Sequence, residues 1–314
     1  MKREEYYLPS SDGRSKIHMV LWKPDGPVRA VLQMNHGMTE HIMRYDSFAG
    51  EAAKSGIAVV GHDHLGHGTT AKQGDLGYFS PEKGHIYLIK DMNRVNCWMR
   101  KRYPDYPYFM MGHSMGSFLL RRYLTIYTGQ KLTGAIIMGT GDPGLGILAA
   151  GKAVVKVIAA LKGGRCRSAL IHQLGIGNYN RQFAPVRTGS DWLSRDTLSV
   201  DQFCADPLCN FRFTAAAYRD FFNVMLTLKL GRHRKRMSAD LPILLISGAE
   251  DPVGDFGRGV ERVYKQYKRN GTKDIQIMLY PDDRHEILNE LNKKEVYQDI
   301  INWIFAHCTD CLCF

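Results

Sequence analysis

No stretch of about 18 uninterrupted apolar residues occurs in this chain of 314 residues, which excludes an ordinary membrane-spanning helix. The most apolar window, residues 145–161, is broken by Gly151, Lys152 and Lys156. The opening MKREEYYLPS has charge but no apolar core, so no secretory signal is expected in it and the cytoplasm is the expected location. Cysteines are few, seven in number and mostly isolated, which argues against a disulfide framework and for a reducing compartment. The exception is the tail from His307 to Cys313, with cysteines at 308, 311 and 313. Four zinc ligands from so short a peptide would be strained, so a frayed helix end with free thiols is expected. There is no repeat and no low-complexity tract, and acidic residues are in deficit: 42 Lys and Arg against 31 Asp and Glu, a net charge of +11.

Such a surface attracts anionic partners. The densest basic run is Arg232-His233-Arg234-Lys235-Arg236, suited to anionic lipid headgroups or to simple solvation as a loop. No recognition motif accompanies it, so nucleic acid is not an expected partner. With 44% hydrophobic and 23% charged residues, the chain can bury a sizeable core.

The order of elements carries the fold. Glu4–Leu8 and Lys16–Trp22, the latter alternating in character, flank a turn at Ser11-Asp12-Gly13 and read as a hairpin. Strand-like runs follow at Arg29–Asn35, Ile57–Gly61, Tyr108–Gly112 and Thr133–Gly139, separated by helical patterns at Tyr45–Ser55, His85–Lys101 and Met115–Thr128. Strands alternating with helices imply right-handed crossovers and a mainly parallel sheet. The alternation stops over residues 141–240, which read as helical, irregular and basic. It resumes with strands at Pro242–Ser247 and Ile275–Tyr280 and helices at Gly257–Lys268 and Lys293–Ala306. The expected organisation is an α/β core of residues 1–140 and 241–314 interrupted by a cap insertion, 141–240. The insertion would sit over the carboxyl ends of the strands, where open α/β sheets bind ligands.

Gly112-His113-Ser114-Met115-Gly116 stands between a strand run and a helical run. A G-x-S-x-G pattern alone is weak, but a strand–turn–helix junction is the setting a nucleophilic serine needs. Glycines on both sides allow close backbone approach, and the helix N-terminus favours negative charge at Ser114. A serine hydroxyl needs a base, and the base needs an orienting acid, in the chain order serine, acid, histidine. His285 follows the strand at Ile275–Tyr280; the later His307 lies near the tail. Asp251 follows the strand at Pro242–Ser247 and precedes Pro252, which favours an extended conformation for it. Glu250 and Asp255 are the neighbouring alternatives. An oxyanion hole needs two N–H donors: Met115, after the serine, and Met38, in the loop His36-Gly37-Met38-Thr39-Glu40-His41.

At these residues the chain resembles the monoacylglycerol lipase and lysophospholipase-like group of α/β hydrolases, which also includes serine aminopeptidase-type enzymes. The resemblance rests on His36–His41, Asp63-His64-Leu65-Gly66-His67-Gly68, Gly112–Gly116, Gly248–Pro252 and Arg284–Glu290. It covers roughly residues 15–140 and 240–305 and is weaker in the insertion. It implies the α/β-hydrolase fold, a Ser/Asp/His triad of Ser114, Asp251 and His285, small-molecule ester substrates with a lipid-like acyl group, no cofactor, no metal, and a turn at 63–68 that braces the active-site loops. A thioesterase, amidase or peptidase on the same triad is the nearest alternative. Two others come from different classes. One is a metallo-hydrolase using His62-Asp63-His64-x-x-His67, whose order departs from the usual His-x-His-x-Asp-His. The other is a ligand receptor without activity, which has no need of three catalytic groups. Tyr179, Phe183, Trp192, Phe211, Phe213, Tyr218, Phe221 and Phe222 supply aromatic area to the insertion, most of it expected to pack internally.

Overall fold

The computed structural model describes residues 1–72, 74–231 and 237–308. The hairpin forms as β1 (Lys2–Pro9) and β2 (Lys16–Lys23), followed by β3 (Ala30–Asn35), α1 (Asp46–Lys54), β4 (Ile57–His62) and α2 (Gly84–Arg102). Then come β5 (Tyr108–His113), α3 (Met115–Ile126) and β6 (Gly134–Met138). Among the described residues four α-helices follow before the sheet resumes: α4 (Leu145–Lys162), α5 (Ala169–Gly175), α6 (Thr197–Ala205) and α7 (Ala215–Leu230). The chain closes with β7 (Ile243–Gly248), α8 (Arg258–Arg269), β8 (Ile275–Tyr280) and α9 (Lys293–Ala306). The basic run at 232–236 and the tail cysteines 311 and 313 lie outside the described residues.

Eight strands make one sheet in the order β1-β2-β4-β3-β5-β6-β7-β8. β1 and β2 are antiparallel to their neighbours, and every pairing from β4 to β8 is parallel. Helices cover both faces, so the central strands are apolar on both sides rather than alternating. Successive residues of one strand enter different cores. Val31, Met110 and Leu245 meet Met92, Leu119, Val224 and Val263 on one face. Leu32, Phe109 and Leu244 meet Phe48 and Ile300 on the other.

Two sequence expectations need correction. β2 does not alternate: residues 17–22 are all buried, because the strand has a neighbour on each side and cover on each face. The alternation belongs to β1, the edge strand. The third helix ends at Ile126 rather than Thr128, since Tyr127 leaves helical geometry while its N–H still caps Tyr123 O at 2.9 Å.

The helices between β6 and β7 differ in how they are held. α7 packs on the sheet-covering layer, with the Phe221 and Phe118 rings edge to face at 5.6 Å. α4 lies along α7 and buries only Leu148 and Val155. It leaves Ile147, Val157 and Leu161 more than half exposed.

Candidate active site

Ser114 sits in the tight turn between β5 and α3 with φ 50° and ψ −121°, a conformation a side chain rarely adopts. The turn is held from both ends. Ser114 N–H donates to Met138 O at the end of β6 (3.0 Å), and Ser117 and Phe118 N–H donate back to Ser114 O. The flanking glycines are steric requirements: a Cβ on Gly112 would lie 2.4 Å from Gly116 O, and one on Gly116 would lie 2.1 Å from Asn35 O. The motif therefore works because β3, β5 and the start of α3 touch backbone to backbone there.

His285 lies in the loop after β8 and Asp251 in the loop after β7; both are buried. His285 Nδ1 and Asp251 Oδ2 are 2.9 Å apart. The Asp251 carboxylate also accepts from Val253 N–H (2.8 Å) and the Ser247 hydroxyl (3.2 Å), which fixes its orientation. The neighbouring acids point elsewhere: Glu250 is exposed, and Asp255 pairs with Arg258 and Arg262. His307 is also remote, bonded to Asp274 and Trp303 O. Ser114 and His285 both border the end of β6: a Cβ on Gly139, beside Met138, would lie 3.2 Å from His285 Cε1. Among the described residues no direct hydrogen bond joins the Ser114 hydroxyl to the imidazole.

The loop after β3 comes close to the serine. A Cβ on Gly37 would lie 3.1 Å from Ser114 Cβ and 2.5 Å from Glu40 Oε1. Gly37, which precedes Met38, and Met115, which follows Ser114, thus flank the same serine from two sides. Two histidines brace this loop. His36 Nε2 accepts from His64 N–H (3.0 Å) and His67 Nε2 accepts from Thr39 N–H (3.3 Å). Their Nδ1 atoms face the carbonyls of Gly37 and Leu65, so each is a neutral ring with the proton on Nδ1. Burial pushes His62 and His67 down to about 3, consistent with neutral packing rings.

The cluster at 62–67 does not gather its atoms as a ligand set. Asp63 is occupied by His18 Nδ1 and by the N–H groups of Ile42 and Thr69, all within 2.9 Å. The imidazoles of His36, His62, His64 and His67 pack against one another as rings.

Sequence reasoning missed a buried ionic network behind the site. Glu40 accepts from Gly37 N–H, from the Tyr45 hydroxyl (2.9 Å) and from Arg44 (2.8 Å), and it faces His113 Nδ1 at 3.4 Å. Arg44 forks onto both oxygens of Glu286, next to His285. His113, the variable residue of the serine motif, contacts His285 O through Nε2 at 3.2 Å. Arg44 and Glu286 are 242 residues apart, and although Glu40, His113 and Glu286 stand inside motifs singled out in the sequence, Arg44, which joins the two glutamates, and Tyr45 do not.

The insertion supplies a second missed set. Trp192 lies against the His285 ring at 4.9 Å and Tyr179 against Trp192 at 5.0 Å. Glu286 N–H donates to Leu193 O (2.7 Å), and Arg195 reaches Glu290 and Asp283. Phe211 and Phe213 pack on His67, as internal packing predicts for most of these rings.

With this geometry in view, the sequence profile of the family described as serine aminopeptidase, S33, matches residues 26–292. The monoglyceride lipase of Rattus norvegicus is 26% identical, covering 95% of this chain and 89% of its own length. Phospholipase YtpA of Bacillus subtilis is 33% identical over 89% of this chain and 96% of its own. Among solved structures, a thermostable carboxyl esterase from Bacillus coagulans, crystallised with glycerol, superposes with a TM-score of 0.91 at 28% identity. That alignment covers 98% of this chain and 99% of the other.

Proposed function

Since the chain belongs to the serine aminopeptidase S33 family and is an ester hydrolase of the α/β-hydrolase fold, we propose that Ser114, His285 and Asp251 form its catalytic triad. The observation that carries the reading is the 2.9 Å contact between His285 Nδ1 and a buried, multiply bonded Asp251, beside a strained serine turn. With Nδ1–H held by the carboxylate, Nε2 is the free lone pair, the atom a general base needs.

In this mechanism the Ser114 Oγ–His285 Nε2 bond forms as substrate seats, a common tightening on going from the free enzyme to the complex. Oγ adds to the ester carbonyl carbon while its proton passes to Nε2. The carbonyl oxygen becomes an oxyanion held by Met38 and Met115 N–H at the positive end of α3. Collapse breaks the bond to the leaving alcohol, which takes the proton from Nε2. Water then adds to the acyl-enzyme, giving its proton to Nε2, and collapse returns that proton to Ser114 as the carboxylic acid leaves. Asp251 remains ionised throughout, steadying the imidazolium. No metal or cofactor enters the scheme.

For substrate we propose a single-chain lipid ester of the monoacylglycerol or lysophospholipid type, in keeping with the monoglyceride lipases and the phospholipase among its relatives. The segment 141–240 serves as the lid over the site. Its helix α4 presents Ile147, Val157 and Leu161 together with exposed Lys152, Lys156 and Lys162, a composition suited to an anionic membrane surface. Among the described residues no helix is long and apolar enough to cross a membrane. We place the protein in the cytoplasm, in keeping with the free thiols of Cys97, Cys166, Cys204 and Cys209.

The test is fluorophosphonate labelling of the wild type and Ser114→Ala, alongside hydrolysis of a panel of short- and long-chain esters, a thioester and an aryl amide. Labelling and ester turnover that both depend on Ser114 are expected. Labelling that survives Ser114→Ala removes the assignment, and faster amide than ester turnover removes the substrate class.

A further inference from the structure

Three groups with no part in the proposed hydrolysis converge where the insertion meets the loop after β3. His41 Nε2 lies 2.8 Å from Asp206 Oδ2, and Cys209 Sγ joins them, the three atoms all within 4.8 Å of one another. Local structure explains the convergence. α6 ends at Ala205, and the chain turns so that Cys209 N–H donates to Asp206 O (3.0 Å) and Leu208 N–H to the Asp206 carboxylate (2.8 Å). That turn sets the carboxylate and the thiol on one side. Asn210 N–H then donates to Thr39 O (3.0 Å), so the turn is pinned to the loop that carries His41.

We propose that His41, Asp206 and Cys209 form a zinc-binding site that clamps the insertion onto the loop after β3. One imidazole nitrogen, one carboxylate oxygen and one thiolate are a donor set suited to this borderline-soft ion. Bond lengths of about 2.0–2.3 Å at tetrahedral angles put neighbouring ligand atoms roughly 3.3–3.7 Å apart. The His41–Asp206 contact must open by about 0.5 Å and the thiol must close by at most about 1 Å, which side-chain rotation supplies between anchored backbones. The partly exposed Asp206 gives the ion a route from solvent and leaves a fourth position for water.

Local charge favours a cation. Arg44 is already bonded to both Glu40 and Glu286, so with Asp206 the surroundings are net negative. As the Zn–S bond forms, the Cys209 thiol gives up its proton to solvent. The site contains neither Ser114 nor His285 and stands apart from the triad reading.

Zinc chloride is titrated into the full chain carrying Cys308→Ser, Cys311→Ser and Cys313→Ser, so that the tail cannot ligate, in competition with a chromophoric chelator. One equivalent per chain is expected, with affinity at least tenfold weaker in Cys209→Ala and in Asp206→Asn on the same background. Zinc is also expected to raise the melting temperature of the parent and not that of Cys209→Ala. Cobalt(II) in the parent should give a thiolate charge-transfer band that is lost in Cys209→Ala. If either variant fails to fold, the cobalt spectrum of the parent decides alone. Absence of stoichiometric uptake, equal uptake by the variants, or a cobalt spectrum without the thiolate band would overturn the site.

Discussion

Trp192 lies across His285 with ring centroids 4.9 Å apart and planes tilted by 34°, so a side chain of the insertion covers the imidazole bonded to Asp251. An apolar cover of this kind excludes water from one ring face and limits ring rotation. Trp192→Ala should lower kcat/KM for long-chain esters about tenfold, a loss of about 1.4 kcal/mol of transition-state stabilisation, while Trp192→Phe should recover most of it. Unchanged steady-state kinetics for Trp192→Ala would remove the indole from the catalytic surroundings.

Asp251→Asn keeps the shape of the side chain but removes the charge that orients the histidine. The expected result is a fall in kcat of about 10³–10⁴ with the fold intact by circular dichroism. Asp255→Asn, which disturbs only an exposed pairing with Arg258 and Arg262, should remain within about twofold of the wild type. The reverse ranking would make Asp255 the acid.

Gly37 has no room for a methyl group, which would meet Glu40 Oε1 at 2.5 Å and the serine Cβ at 3.1 Å. Gly37→Ala should therefore displace the Met38 N–H from the serine and reduce kcat by at least about 100-fold, the scale of losing one oxyanion donor. Substrate KM should change far less. A kcat near wild type would show that this loop does not hold the oxyanion.

The Glu40–His113 contact gives stability a defined pH dependence. Burial pushes the Glu40 carboxyl up, but the His113 hydrogen bond and the Arg44 charge outweigh it, and it titrates below its ordinary 4.5. Its contribution is present above that value and fades as pH falls through the folded pKa. Burial pulls His113 down, yet the Glu40 hydrogen bond and charge hold it above its ordinary 6.5. That contribution is full below 6.5 and is lost as pH rises through the raised pKa. Urea unfolding of wild type and Glu40→Gln should differ most near pH 5.5, by about 3 kcal/mol, and less near pH 9. A difference that is flat with pH would separate the two groups.

Contact of α4 with anionic membranes is checked by sedimentation with vesicles of phosphatidylglycerol. Ile147→Glu with Leu161→Glu should reduce bound protein several-fold and leave turnover of a short, water-soluble ester unchanged. Equal binding by the double variant would locate any membrane contact elsewhere.

Most strands and helices were legible because local pattern and tertiary role agree. Buried parallel strands read as short apolar runs, and helices ended where Gly56 or the turn after Ala306 required. The placement of Ser114, Asp251 and His285 was legible because each follows a strand end. Glu40, Arg44, Glu286, Trp192 and Arg195 were not, because nothing local distinguishes a buried ion pair or a covering indole from surface residues of the same type. Their roles arise from loops that meet only after the sheet has formed. β2 was misread for the same reason, since burial of its second face depends on packing by distant helices.

The segment around Trp192 is fastened to the histidine loop by Glu286 N–H to Leu193 O, by Arg284 to Asp191 O and by Arg195 to Glu290. A covering piece riveted to the very loop that carries His285, the proposed base, cannot swing away as one rigid door without dragging the histidine with it. On the proposed lipid-ester reading, passage of a long acyl chain calls for a tent-flap geometry, in which residues 191–195 stay pegged and the α4–α5 side lifts. The same pegs would keep the imidazole aligned through each cycle of loading and release.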